Sequence, residues 1–156
     1  MFNENTWKYG EEKVQNYMKK NGYKILYTNF SCVGVELDIV SIFPKKSQIK
    51  KLKIKLKNDI KKLKENNEKD KILVFKNNFK NCINNLTDLF VITEVKSRAT
   101  DKYGLGSEAV NDYKIKNIKK GANYFLLKDE YKNMQVRFDV ASVDGENLTY
   151  IENAFY

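Results

Sequence analysis

The chain predicts an α/β domain, and three observations carry that prediction. Apolar residues recur at helical spacing before Gly22 and again after Ser107. A period of two runs through residues 23–30, 35–43 and 135–143. Between them, residues 89–96 form an apolar, β-branched run of strand length. At 156 residues the chain fits one domain, 1–156, able to bury roughly two thirds of the surface its unfolded form exposes. No apolar run approaches the roughly 18 residues of a membrane span, and residues 1–12 hold no apolar leader core, so a cytoplasmic protein with no membrane partner is expected. Cys32 and Cys82 form no C-x-x-C and are expected as reduced thiols.

The first helix is predicted from residue 5 or 6 to residue 21, with Gly22 as its stop. Glu11 lies on the stripe of Val14, Tyr17 and Met18 and faces inward, whereas Glu12 points elsewhere. The helix dipole also favours an acid near this end, so Glu11 has a structural reading beside the functional one. Residues 23–30 alternate as a strand and 31–34 turn. Residues 35–43 form a second strand, with Val35, Leu37 and Ile39 on one face and Glu36, Asp38 and Val40 on the other. Pro44, the only proline, ends it.

From residue 44 to about 87 the composition shifts to lysine and asparagine. Ile49, Leu52, Leu56, Ile60 and Leu63 predict a basic amphipathic helix over 47–65. Residues 72–75 read as a short strand, and Asn77-Asn78 and Asn84-Asn85 as turns. A structureless connection of this length is rare in a compact domain, so an inserted subdomain or a partner-packed segment is expected. Ser107 is the predicted N-cap of a helix over 108–128, whose stripe of Val110, Ile118, Ala122 and Phe125 carries Lys114 in its middle. A lysine so placed often only lays its stem along apolar surface. Residues 135–143 form a strand with Arg137 and Asp139 on one face, and Asp144-Gly145 turns it into a last strand over 148–151.

Charge is unevenly placed. Between Lys45 and Lys64 ten lysines stand against one acid, Asp59, and this local +9 equals the formal charge of the whole chain. The remainder is net neutral, which weakens any general argument from charge to nucleic acid. Histidine is absent, and that removes Ser-His-Asp and Cys-His nucleophiles and every histidine-containing zinc site. Carboxylate and lysine chemistry remains, and carboxylate oxygens prefer magnesium or manganese to zinc.

The run Leu89–Arg98 ends in two ionisable groups, Glu94 and Lys96, which share a face about 6.6 Å apart along the strand. If strands 35–43 and 89–96 are antiparallel neighbours, pairing Phe43 with Leu89 sets Asp38 opposite Glu94, with Cβ atoms about 5 Å apart. Like charges so placed need a cation, which Lys96 and a divalent ion would supply. An Asp, a Glu-x-Lys and a helix-borne Glu make a workable site for phosphodiester hydrolysis. A semi-buried ion cluster that merely holds the sheet is the plainer reading of the same residues.

Seven segments in order resemble the YraN-like family, grouped with the restriction-endonuclease-like PD-(D/E)XK nuclease superfamily and similar in layout to archaeal Holliday-junction resolvases. They are Tyr9-Gly10-Glu11, Gly22–Leu26 with Asn29-Phe30, Glu36–Val40, Thr93–Arg98, Tyr103-Gly104 with Glu108–Val110 and Lys114, Arg137–Val140, and Asn153–Phe155. The resemblance implies an α/β restriction-endonuclease-like core, a mixed β-sheet between helices, with the lysine-rich segment replacing a short hairpin. It implies Asp38 and Glu94 as ligands of magnesium or manganese, Lys96 as the catalytic lysine and Glu11 as the helix acid, with Glu36 a secondary candidate. Arg98 and Lys114 would contact phosphate. The expected activity is metal-dependent cleavage of branched or damaged DNA, for which a two-fold homodimer would suit symmetric cutting. Two further readings stand beside it: a non-catalytic nucleic-acid-binding protein of the same fold, and an interaction protein that docks on a partner through residues 47–65.

Overall fold

The computed structural model describes residues 4–98 and 110–156, with the backbone alone for residues 4–7 and Arg98. The order is α1 (Glu4–Lys20), β1 (Lys24–Cys32), β2 (Val35–Phe43), α2 (Lys45–Glu65), α3 (Lys69–Asn84), β3 (Leu89–Arg98), α4 (Asp112–Leu126), β4 (Gln135–Asp144) and β5 (Asn147–Phe155). The strands form one sheet in the order β1-β2-β3-β4-β5, parallel only between β3 and β4. A parallel pair needs a crossover, and α4 lies within it. This mixed sheet between helices, with α2 and α3 inserted between β2 and β3, is consistent with a restriction-endonuclease-like core.

Both faces of the sheet are covered. On one, Val14 and Met18 of α1 pack with Ile39, Phe43, Val91, Val95, Ala141 and Val143. On the other, Ile118, Ala122 and Phe125 of α4 pack with Leu37, Val40, Phe90 and Ile92. Burial on both sides explains why β3 reads as an unbroken apolar run. Helix α1 ends as predicted: Gly22 has φ 88°, its amide bonds Lys19 O at 3.1 Å, and the Tyr23 amide bonds Met18 O at 3.0 Å. That is a Schellman ending, which favours glycine at the left-handed position.

Several expectations change. Strand β1 runs on through Cys32, and the turn shrinks to Val33 and Gly34, both at positive φ, as a two-residue hairpin with right-handed strand twist requires. Residues 72–75 are helical, not a strand. Ile72, Phe79 and Ile83 are half-buried at spacings of seven and four, and α3 packs on α2, so a helical period hidden by a four-residue apolar run governs the segment. Asn77-Asn78 is therefore helix interior; the turn falls at Asn66-Asn67, where Asn67 has φ 58°. Helix α4 starts at Asp112 rather than 108, capped by Asn111, whose Oδ1 accepts the Lys114 amide at 2.8 Å. Ser107 lies outside the described residues. Strand β5 is longer than predicted and reaches Phe155.

The insert is rooted in the core. Gln48 is buried, and its Nε2 donates to Phe43 O at 3.0 Å and Thr87 O at 2.7 Å, while Ser47 Oγ donates to Gly22 O at 3.0 Å. Lys51 Nζ pairs with Glu152 Oε1 of β5 at 2.6 Å. None of the described helices is long and apolar enough to cross a membrane.

On the α1 face a polar network centres on a buried acid. Asp139 is completely buried and accepts Arg137 Nε at 2.8 Å, Arg137 Nη2 at 2.7 Å, Tyr150 OH at 2.8 Å and the Asn153 amide at 2.9 Å. The bidentate geometry suits a guanidinium, and removing one partner strands the other charge in the sheet. Asp139→Ala is expected to destabilise the fold by about 3–5 kcal/mol, read as a lower denaturant midpoint at unchanged slope. A loss under about 1 kcal/mol would show that Arg137 is compensated elsewhere.

Candidate active site

The predicted strand register is present. Phe43 pairs with Leu89 and the ladder runs to Ile39 opposite Thr93, which places Asp38 and Glu94 just beyond the last rung. There the strands part. Val35 and Leu37 pack on the α4 side while Ile39 packs on the α1 side, so strict alternation fails at Asp38. The expected common face of Val35, Leu37 and Ile39 is therefore wrong. The cause is local: Asn29 in β1 has φ 49°, and the rung that would join it to Asp38 is missing between Thr28–Ile39 and Phe30–Leu37.

With the ladder ended, the Val95 amide takes the Asp38 carboxylate as its acceptor, at 2.7 Å from Oδ2. Asp38 is 4% exposed and Glu94 is 9% exposed. From α4, Lys114 Nζ reaches Glu94 Oε2 at 3.0 Å and also feels the charge of Asp38. Lys96 is half-buried and follows Glu94 on the α4 side, because Ser97 faces Gly10 of α1. Glu36 is exposed and belongs to the field around Lys114. The Arg98 side chain lies outside the described residues.

Glu11 is buried as predicted, at 5% exposure, but it occupies the α1 side. Asn29 Nδ2 donates to its Oε2 at 2.8 Å, and its Oε1 is buried without a hydrogen-bond partner. Among the described residues no group of three or more acids or cysteines gathers to hold a metal. The structure thus brings Asp38, Glu94 and Lys114 together and leaves Glu11 outside that group. Asn29 enters the sequence reading only within a family segment and with no role, its one physical signal being that asparagine tolerates a left-handed backbone, and the Val95 amide carries no sequence signal.

The electrostatics follow from crowding. Burial, then the charge of Glu94, push the Asp38 carboxyl up to about 7, against the Val95 amide and Lys114, which hold it down. Burial opposes the charge of Lys114, but Asp38, Glu94 and Glu36 raise its pKa above the usual lysine value. The Asp38 carboxyl is raised in the folded state, so the native protein holds a proton there that the unfolded chain has released. Stability from this group is therefore full below about pH 4 and declines as pH rises to about 7. Asp38→Asn keeps an acceptor for the Val95 amide and removes the titration. Its stability relative to wild type is expected to rise by up to about 4 kcal/mol between pH 4 and 8 without divalent metal, measured by urea unfolding. A constant difference across that range would show that Asp38 titrates normally.

The model of the uncharacterised protein family UPF0102 matches residues 10–143. A UPF0102 protein of Persephonella marina is 29% identical over 148 residues, which cover 95% of this chain and 90% of that protein. One of Clostridium acetobutylicum is 32% identical over 153 residues, covering 94% and 90%. One of Fusobacterium nucleatum is 35% identical over 143 residues, covering 92% and 84%. The match takes in Glu11, Asp38, Glu94, Lys96 and Lys114 together with the insert, and by it the chain belongs to the UPF0102 family, the YraN-like family its motifs resemble.

Proposed function

We propose that this protein is a divalent-metal-dependent endonuclease of the PD-(D/E)XK kind, hydrolysing phosphodiesters of branched or damaged DNA in the manner of archaeal Holliday-junction resolvases. The observation that carries the reading is the buried pair Asp38 and Glu94 at the parted end of β2 and β3, with Lys96 two residues on and Lys114 against the pair. Burial and the neighbouring charge of Glu94 raise the Asp38 carboxyl, which supports a site where a divalent ion would relieve the crowding.

Carboxylate oxygens fit magnesium or manganese, and Asp38 and Glu94 would hold the ion. When bound, it would polarise a phosphate and lower the pKa of a water. The chain's own residues do the rest. The Val95 amide fixes the Asp38 carboxylate, and Lys114 fixes Glu94. Lys96 presents an ammonium to the attacking hydroxide and the charge that develops on phosphate. Arg98 and Lys114 supply further cationic contact to the strand, without base readout. Glu11, held by Asn29, supports the site from the α1 face.

One observation favours a non-catalytic nucleic-acid-binding protein: the Lys114–Glu94 pair supplies the acids with a cation of their own. The two readings part on one experiment, with branched, single-stranded and duplex DNA in magnesium or manganese. Glu94→Ala and Lys96→Ala are each expected to lower cleavage at least 100-fold while binding persists. Magnesium is expected to raise the melting temperature of wild type but not of Glu94→Gln. Binding without cleavage on every substrate, and no metal effect on melting, would leave the non-catalytic reading.

A further inference from the structure

Helices α2 and α3 form an arm. Beyond the root contacts of Gln48 and Lys51 the two pack on each other, and no residue of α3 is buried. The insert leaves the sheet at Phe43 and returns at Leu89, five rungs or roughly 17 Å from Asp38 and Glu94. Six of its exposed lysines form one stripe, while Lys51, Lys55 and Lys62 lie on another side of α2. Lys46, Lys50, Lys53, Lys57, Lys61 and Lys64 are all exposed and recur at steps of four, three, four, four and three. At 3.6 residues per turn they fall within an arc of about 80° and extend along about 27 Å of helix. Neither acid of α2 lies in the arc. Asp59 is half-buried on another side, and Glu65 flanks the end, 3.9 Å from Lys61. At the root the stripe meets a cleft lined by Lys20, Ser47, Lys50 and Lys51.

We infer that this lysine stripe is a docking surface for a nucleic-acid backbone, separate from the acidic site. The choice of a nucleic acid rests on the phosphodiester reading of that site; the stripe's own chemistry asks for a linear polyanion. A single DNA strand presents a phosphate about every 3.4 Å, so 27 Å of helix faces about eight, and six flexible lysines match that row. A surface that serves solubility alone mixes both signs. An anionic bilayer would need apolar residues on the same face to insert. Ile54 and the half-buried Ile60 flank the arc without entering it, and the exposed Leu73, Val74 and Phe75 are successive residues of α3 that share no face.

The test uses the full chain in chelator, where cleavage cannot intervene, and reads duplex DNA binding across a salt series. Replacing Lys53, Lys57, Lys61 and Lys64 by Gln is expected to lower the slope of log affinity against log salt by about three to four and to weaken binding at low salt at least tenfold. The same four changed to Arg keep both values. An unchanged slope in the Gln variant, or a wild type that binds neither duplex nor single strand, overturns the inference. So does a Gln variant that loses phosphatidylglycerol vesicles while holding DNA. A lost slope with no cleavage by wild type in magnesium or manganese would sink the nuclease reading and leave the stripe standing. An intact slope with Glu94-dependent cleavage would do the reverse.

Discussion

The hydrogen bond from the Val95 amide to Asp38 Oδ2 is the constraint on which this end of the sheet depends. Past the rung between Ile39 and Thr93, β2 turns its side chains over and carries Leu37 and Val35 to α4, where Leu37 closes against Gly121. That movement takes the main-chain acceptor away from Val95, which is 2% exposed, and an unpaired amide so buried costs about 1–3 kcal/mol. The Asp38 carboxylate fills the gap, and so it is buried beside Glu94 and needs Lys114. An asparagine at position 38 could accept the same hydrogen bond without the electrostatic penalty. The backbone accounts for an acceptor here; it does not account for an acid.

The sheet holds two buried acidic centres, and they differ in how fully they are satisfied. On the α1 face Asp139 receives two bonds from Arg137, one from Tyr150 and one from the Asn153 amide, while Thr93 completes the network through Tyr150 at 3.0 Å. That centre joins β3, β4 and β5 and, through Glu152 and Lys51, the root of the insert. On the α4 face Asp38 lies beside Glu94, and Glu94 pairs with Lys114, itself about one third exposed. The first centre is saturated with hydrogen bonds, whereas crowding of two acids raises the Asp38 carboxyl in the second. Thr93 and Glu94 are adjacent residues on opposite faces, so β3 serves both.

Much of this could be read from the sequence because it depends on period and pairing alone. The insert joins neighbouring strands, so Phe43 opposite Leu89 was the simplest register, and it carried Asp38 to Glu94 without further assumption. Lys114 was legible because a helical stripe fixes a face. The break at Asp38 was not, since it depends on the left-handed Asn29 and the coiling of the β1–β2 hairpin, neither of which alters residue period. Glu11 was rightly placed inward, yet a stripe gives burial and not the neighbour, so its separation from the acidic pair could not be anticipated. Helix α3 was misread because Ile72–Phe75 is apolar at four successive positions, where strand and helix patterns coincide.

The net charge and the proposed chemistry occupy different places and obey different physics. The stripe on α2 is exposed, so salt within the physiological range screens it over about 8 Å. Asp38, Glu94 and Lys114 lie largely out of solvent at hydrogen-bond distances, where screening is weak and protonation governs. On the proposed reading, ionic strength would act on how the stripe holds a polyanion, and pH on the protonation of Asp38. A single basic cleft lined with the same lysines would join the two controls, because each cation that gripped the strand would also shift the acids. The insert joins the sheet about 17 Å from the acids, and burial and Glu94, with no lysine of α2 among the causes, set the raised Asp38 carboxyl.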